Sequence, residues 1–293
     1  MTQHKKHKGV QFSVSPAAEK LAAELGIGLD ALQGTGAQGR IILADIERAQ
    51  LSSSMEVRQQ TAYHQKVSLP SLQKQGKSVK IRHLLALKME KAWQTIPHFY
   101  VTISVDMTDV VRFRHDLEVT INDFILAATA RALAEHPWVN ATWNGEQGVE
   151  LADINIAIAA ATDRGLYYPV LHHCERLRLQ QISKQARELA EKTMQQGELP
   201  EYDLSGATFT ITNMGMLGVE SFSAIITPPQ AAVLSVGTIK GEVVVDDQGE
   251  PAVAPIMRLT LSADHRVMDG EDVADFLDTI KCYLEAPVVL FQD

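Results

Sequence analysis

Cysteine is nearly missing from this chain: Cys174 and Cys282 are the only two in 293 residues. Two thiols cannot build a disulfide framework and neither has metal-ligand spacing, so a reducing cytoplasm and no metal site are expected. No apolar run reaches the roughly 18 residues that a membrane span requires, which points to a soluble protein. The opening "MTQHKKHKGVQF" has neither the apolar stretch of a secretory signal nor the arginines of a transit peptide, and residues 1–12 read as a disordered basic tail. Positive charge is short as well. Lys and Arg number 27 against 36 Asp and Glu, a net charge of −9, which opposes general nucleic-acid binding but leaves room for a local basic pocket around a phosphorylated cofactor. "HKKH" in the tail and "HHCE" at 172–175 are places a metal ion could visit, but they read more plainly as tail and turn. Internal repeats, an activated serine or cysteine motif and a "DKA"-type lipoyl-lysine hairpin are all missing.

What is present is an ordinary globular composition, 45% hydrophobic and 22% charged, in a chain long enough for a core without staples. Its first ordered stretch is "SVSPAAEKLAAELGIGLDALQGTGAQGRIILADIERAQ". Ser15 suits an N-cap with Pro16 at the first helical position, and Ala18, Leu21, Ala22 and Leu25 form an apolar stripe ending at Gly26. "LADIERAQ" reads as a second short helix. Gly34, Gly36 and Gly39 fit G-x-G-x-x-G, but no buried strand precedes them, so they read as a loop and not as a dinucleotide site. Residues 50–79, rich in Ser and Gln without a period, read as a flexible linker.

Beyond the linker, helical and strand patterns interleave. "IRHLLALKMEKAW", "TINDFILAATARALAEH", "LQQISKQARELAEKTM" and "EDVADFLDTIKCYL" carry helical spacing; "HFYVTISVDM", "INIAIAAA", "ATFTIT", "AAVLSVG" and "IMRLTLSA" read as strands. This alternation favours helices layered on a largely buried sheet. The last strand runs into "ADHRVMDG". A histidine at a strand end is held by a rigid scaffold, and its unperturbed pKa suits proton transfer near neutrality. Taken alone, His265 with Asp269 four residues on is a weak signal, since a lone histidine is more often structural.

The strings taken together are more specific. "SPAAEKLAAELGI", "GTGAQGRI" and "ADIERA" resemble the peripheral subunit-binding domain of dihydrolipoamide acyltransferases, the core subunits of 2-oxo acid dehydrogenase complexes. "DHRVMDG" resembles the signature of their catalytic domain, related to chloramphenicol acetyltransferase. That likeness continues through "IRHLLALKM", "IPHFYVTISVDMTD", "ATDRGLYYPVL", "ATFTITNMGMLGVESFSAIITPPQAAVLSVG" and "FLDTIKCYLEAPVVL", covering nearly all of 80–293. The resemblance implies a small helical subunit-binding domain at 13–49, a linker, and an α/β two-layer sandwich with a mixed sheet at 80–293.

It also implies the chemistry, acyl exchange between two thiols: dihydrolipoamide, on a lipoyl domain in trans, and coenzyme A. Both nucleophiles come from substrates, which accounts for the missing serine or cysteine motif. His265 would be the base and Thr212, at the family's serine or threonine position before the "N-x-G" turn, the oxyanion donor. Asp269 would fix the loop by hydrogen bonds or by an ion pair, with Arg82 a candidate partner. The family forms homotrimers with sites between subunits, assembled into a larger cage. Its small module docks dihydrolipoamide dehydrogenase or the 2-oxo acid dehydrogenase through basic side chains.

Here Lys20 and Arg40 occupy such positions, but Ala37 and Leu43 stand where lysine is usual. Lys20, Arg40 and Arg48 face Glu19, Glu24, Asp30, Asp45 and Glu47 in number, so the docking charge is depleted. Tyr167 and Tyr168 replace small aliphatics, either reshaping a channel wall or packing on neighbouring strands, and Ala161 and Asp163 replace Asp and Pro. Lys88 replaces arginine, and the stretch from Val110 to Thr120 is shorter than usual. Two other readings stay open: a stand-alone transferase moving an acyl group between coenzyme A and a small molecule, and a non-catalytic scaffold of a cage.

Overall fold

The computed structural model describes residues 13–46, 49 and 76–291, apart from short breaks at 26, 30–31, 163–164, 196–198 and 246–247. The tail at 1–12 and most of the linker, 50–75, lie outside the described residues. Two compact units divide the chain, 1–72 and 73–293.

In the first unit, helix α1 (Pro16–Leu25) is capped by Ser15, whose hydroxyl accepts from the Ala18 N–H at 3.3 Å. Ala18 and Ala22 pack on Ile41 and Ile46 to make a core of small and β-branched side chains. Leu25, expected on the buried stripe, is exposed instead, because the chain leaves the helix there. The loop is closed by Asp45, whose carboxylate accepts from the N–H of Thr35 and of Ile42, both at 3.0 Å, and from the Thr35 hydroxyl at 2.7 Å. A Cβ on Gly34 would lie 2.4 Å from the Gly39 carbonyl oxygen, so that glycine is there for close backbone approach.

The second unit begins with helix α2 (Gly76–Thr95), which opens inside the stretch read as linker. Strand β1 (His98–Asp106), helix α3 (Thr108–Asp116) and helix α4 (Ile121–Glu135) follow. Next come the paired strands β2 (Ala141–Trp143) and β3 (Gly148–Glu150), then β4 (Ile156–Ile158), the pair β5 (Ala160–Thr162) and β6 (Gly165–Tyr167), and β7 (Val170–Leu171). Helix α5 (Leu179–Gln195), β8 (Phe209–Asn213), β9 (Ala232–Val236), β10 (Lys240–Val245), β11 (Pro251–Asp264) and helix α6 (Gly270–Glu285) complete it.

Strands run in the order β1-β11-β9-β8-β4-β7, with β10 also paired to β11. The β9–β8 and β8–β4 pairs are parallel and the others antiparallel, which makes the sheet mixed. β11 is its spine. Met257, Leu259, Leu261 and Ala263 point to the helical face, where they join Phe124 of α4 and Phe276 and Ile280 of α6 in the main core. The intervening Thr260 and Ser262 point to the opposite face, as the two-residue period of a strand requires. On that face the end of α2 seats Ala92 and Ile96 against Val233 and Ile226.

The sequence reading found β1, β4, β8, β9 and most of β11 but missed the short strands β2, β3, β6 and β7, as well as β10, the first residues of β11 and helix α3. Pro251 and Pro255 conceal the start of β11, because proline normally argues against a strand. They are tolerated because β1 pairs with β11 only from Ile256 onward, leaving that edge of the strand without a β1 partner over both prolines.

Candidate active site

His265 sits in the turn between β11 and α6. Side-chain and backbone interactions together hold this turn. Asp264, 1% exposed, receives the Arg266 guanidinium on both oxygens, Nε at 2.9 Å to Oδ1 and Nη2 at 2.6 Å to Oδ2. These bonds keep Arg266 above the ordinary arginine range, and the guanidinium also lies 5.2 Å from the centre of the Trp143 ring. The His265 backbone N–H donates to the Pro97 carbonyl at 3.0 Å, and the Val267 N–H donates to that of Asp264 at 2.9 Å. The imidazole is exposed, rests on Phe99 with ring centres 4.4 Å apart, and makes no hydrogen bond among the described residues. A neutral imidazole in such a position can take a proton from an incoming group without first breaking a protein contact.

Asp269 caps α6. Its carboxylate accepts from the N–H of Glu271 at 2.9 Å and of Asp272 at 3.2 Å, and the Asp272 carboxylate accepts from the Asp269 N–H at 2.8 Å. This is a reciprocal capping box. Asp269 therefore fixes the loop through backbone hydrogen bonds; an ion pair with Arg82 is not formed among the described residues. The ion pair of the turn is Asp264 with Arg266. Sequence reasoning passed over both, although they flank the histidine in "DHR".

Thr212 lies near the end of β8, half-buried on the non-helical face. The turn after it is made by Asn213, whose Oδ1 accepts from the Gly215 N–H at 2.8 Å and whose Nδ2 donates to Asn122 Oδ1 at 3.1 Å. A Cβ on Gly215 would lie 2.7 Å from the Gly237 carbonyl oxygen, which explains the glycine of "TNMG". Beyond it Met216 and Leu217 are 92% and 74% exposed.

The structure does not bring Thr212 and His265 together within one chain. Thr212 pairs with Ser235, and Ser235 with Thr260 of β11, while His265 lies five residues past Thr260, just beyond the end of that strand. At about 3.3 Å per residue and about 4.8 Å per strand, the two are separated by roughly 16 Å along the strands and about 10 Å across them.

Beside the His265 turn lies a groove of about 380 Å³, lined among others by Lys88, Lys91, Thr95, Trp143, Asp264 and Arg266. Arg266 is neutralised by Asp264, so the groove owes its positive sign to the two lysines; burial lowers the pKa of Lys88. His98, another residue missed from sequence, ties neighbouring segments together. Its Nδ1 donates to the Ile96 carbonyl at 2.8 Å and its Nε2 accepts from the Ile226 N–H at 3.0 Å, a pattern that fixes the neutral tautomer. Tyr167 and Tyr168 are half-buried, and burial raises the pKa of Tyr168. Asp153, His173 and Glu175 converge near "HHCE", the first exposed and the other two half-buried, with no ion among them.

The family model for the catalytic domain of 2-oxoacid dehydrogenase acyltransferases matches residues 72–292. This chain belongs to that family. An e3 binding domain matches residues 13–47. The family includes the dihydrolipoyllysine-residue acetyltransferase component of the mitochondrial pyruvate dehydrogenase complex of Schizosaccharomyces pombe, 35% identical over 299 residues. The match covers 96% of this chain but 62% of that protein, so the chain spans less than two thirds of it. Among solved structures, the cubic core of a pyruvate dehydrogenase multienzyme complex superposes with a TM-score of 0.69 at 27% identity, covering 72% of this chain and 90% of the other. The dihydrolipoamide acetyltransferase of Azotobacter vinelandii does so with a TM-score of 0.66 at 28% identity, covering 71% and 89%. The Azotobacter study concerns the roles of a serine, a histidine and an asparagine four residues after it. The α/β acyltransferase-core fold implied by the sequence is thus the fold of this family.

Proposed function

We propose that the chain transfers an acyl group between dihydrolipoamide, carried on a lipoyl domain of another chain, and coenzyme A, as the core of a 2-oxo acid dehydrogenase-type complex. The observation that carries this reading is the exposed imidazole of His265, held in the turn of the "DHRVMDG" string and without a hydrogen bond among the described residues. His265 accepts the proton of the attacking thiol, because the thiolate is the nucleophile and a free thiol is mostly protonated at neutral pH. The thiolate adds to the thioester carbonyl, and the tetrahedral oxyanion receives a hydrogen bond from Thr212. Collapse expels the second sulfur, which recovers the proton from His265. That a serine and a histidine figure in the catalytic mechanism of the Azotobacter relative is in keeping with a hydroxyl and an imidazole acting together here. Lys88 and Lys91 give the adjacent groove the sign that an anionic thiol such as coenzyme A requires.

A proton acceptor and an oxyanion donor serve one carbonyl only if both lie within about 3 Å of the reacting atoms. The separation of Thr212 from His265 along one sheet therefore supports a site built from two chains of a homotrimer. The exposed Met216 and Leu217 next to Thr212 are in keeping with a subunit boundary, and the cubic core among the relatives with a larger cage. The small module would dock dihydrolipoamide dehydrogenase through Lys20 and Arg40, both exposed; Leu43, 41% exposed where lysine is usual, weakens the electrostatic part of that contact. The two free cysteines suit a reducing cytoplasm.

Replacing His265 with Ala tests the reading directly. Transfer from acyl-dihydrolipoamide to coenzyme A should fall by about 10²- to 10⁴-fold, the usual contribution of a positioned base, with the fold retained. An unchanged rate would refute the assignment.

A further inference from the structure

On the non-helical face, four hydroxyls lie level across four strands. Thr212 on β8 pairs with Ser235 on β9, Ser235 with Thr260 on β11, and Thr260 with Thr102 on β1. The outer pair is already bonded, Thr102 Oγ1 to Thr260 Oγ1 at 2.9 Å. Ser235 is different. It is 1% exposed, its Oγ is sealed from water, and it has no hydrogen-bond partner among the described residues. A buried hydroxyl left in that state is destabilising, and valine or alanine would pack a central strand better.

We propose that Ser235 is a positioning residue for Thr212, an inference that rests on the oxyanion role of Thr212. Directly opposed side chains on one face of paired strands are about 4.8 Å apart at the backbone, so rotation about the Ser235 Cα–Cβ bond carries its hydroxyl to the Thr212 oxygen. Ser235 then donates to Thr212 Oγ1. Once that oxygen accepts a bond, the Thr212 O–H is turned outward, toward the half-exposed side where a carbonyl oxygen would sit. Thr260 can donate to Ser235 in turn, and Thr102 to Thr260. The row becomes a chain of hydroxyls all pointing one way, each polarising the next. Ser235 is sealed from substrate and acts only through Thr212.

The experiment is a double-mutant cycle on the assembled, full-length protein, using Ser235→Ala, Thr212→Ala and the double variant, with acetyl-dihydrolipoamide and coenzyme A as substrates. Ser235→Ala should lower kcat by about 5-fold, the worth of one ordinary hydrogen bond, with KM for both substrates unchanged. In the Thr212→Ala background the same substitution should have no further effect. An equal loss in both backgrounds marks a merely structural role and overturns the inference. If Thr212→Ala is impaired while Ser235→Ala is not, this inference alone fails. Full activity of Thr212→Ala would instead remove the reading on which it rests.

Discussion

The chain's two thiols show how environment decides the character of a residue. Cys174 is buried with its Sγ toward the Leu171 carbonyl, and burial pushes its pKa to about 12; Cys282 is exposed on α6. A thiol alkylation time course at pH 8 should show Cys282 reacting at once and Cys174 only after denaturation, since the thiolate is the reactive form. The same shift has a stability consequence. Between about pH 9 and 12 the unfolded thiol loses its proton while the folded one keeps it, so stability falls with rising pH by up to about 1.4 kcal/mol per unit. Cys174→Ala should flatten that alkaline slope in denaturation curves. Cysteine scarcity was legible in the sequence, but nothing in "HHCERL" says that this sulfur is sealed. Likewise His265 stood out in "DHRVMDG", while its clamp of Asp264 and Arg266 did not: the pair closes across the turn that begins where β11 ends at Asp264, and the string does not show where that strand ends.

At the scale of elements, capping chemistry explains Asp269 more fully than an ion pair does. Asparagine and aspartate are comparable N-caps, and alanine is a poor one. Asp269→Asn should therefore keep both fold stability and most of the transfer rate. Asp269→Ala should cost about 1 kcal/mol in denaturant unfolding and lower activity by loosening the His265 turn. A large activity loss in Asp269→Asn at unchanged stability would overturn this assignment. Amphipathic helices such as α5 and α6 could be read directly, since burying one face imposes the period on their sequences; α4, buried all round from Asp123 to Ala130, was legible from its long apolar, alanine-rich run. Helix α3 could not, because "TDVVRFRHD" is short and polar, with Val110 as its buried residue.

For the whole molecule the decisive quantity is the separation of Thr212 from His265. If each site joins two chains, a protein lacking His265 and one lacking Thr212 should rescue each other. Refolding His265→Ala together with Thr212→Ala should recover up to about a quarter of wild-type activity, because a quarter of randomly formed interfaces hold both intact residues. Mixing without reassembly should recover none, and a site confined to one chain would stay dead under either treatment. By itself the sequence determined the helix-on-sheet layering and singled out His265, Thr212 and Asp269 as candidates, because these follow from local periodicity and from short ordered strings. Only the tertiary structure decided which side chains share a face and which share a site. Strand register and chain reversal set those distances, and both depend on pairings between residues far apart in sequence: Thr102 meets Thr260 and Thr212 meets Ser235, while Thr212, in the sheet, and His265, in the turn that follows β11, stay too far apart within one chain to serve one carbonyl.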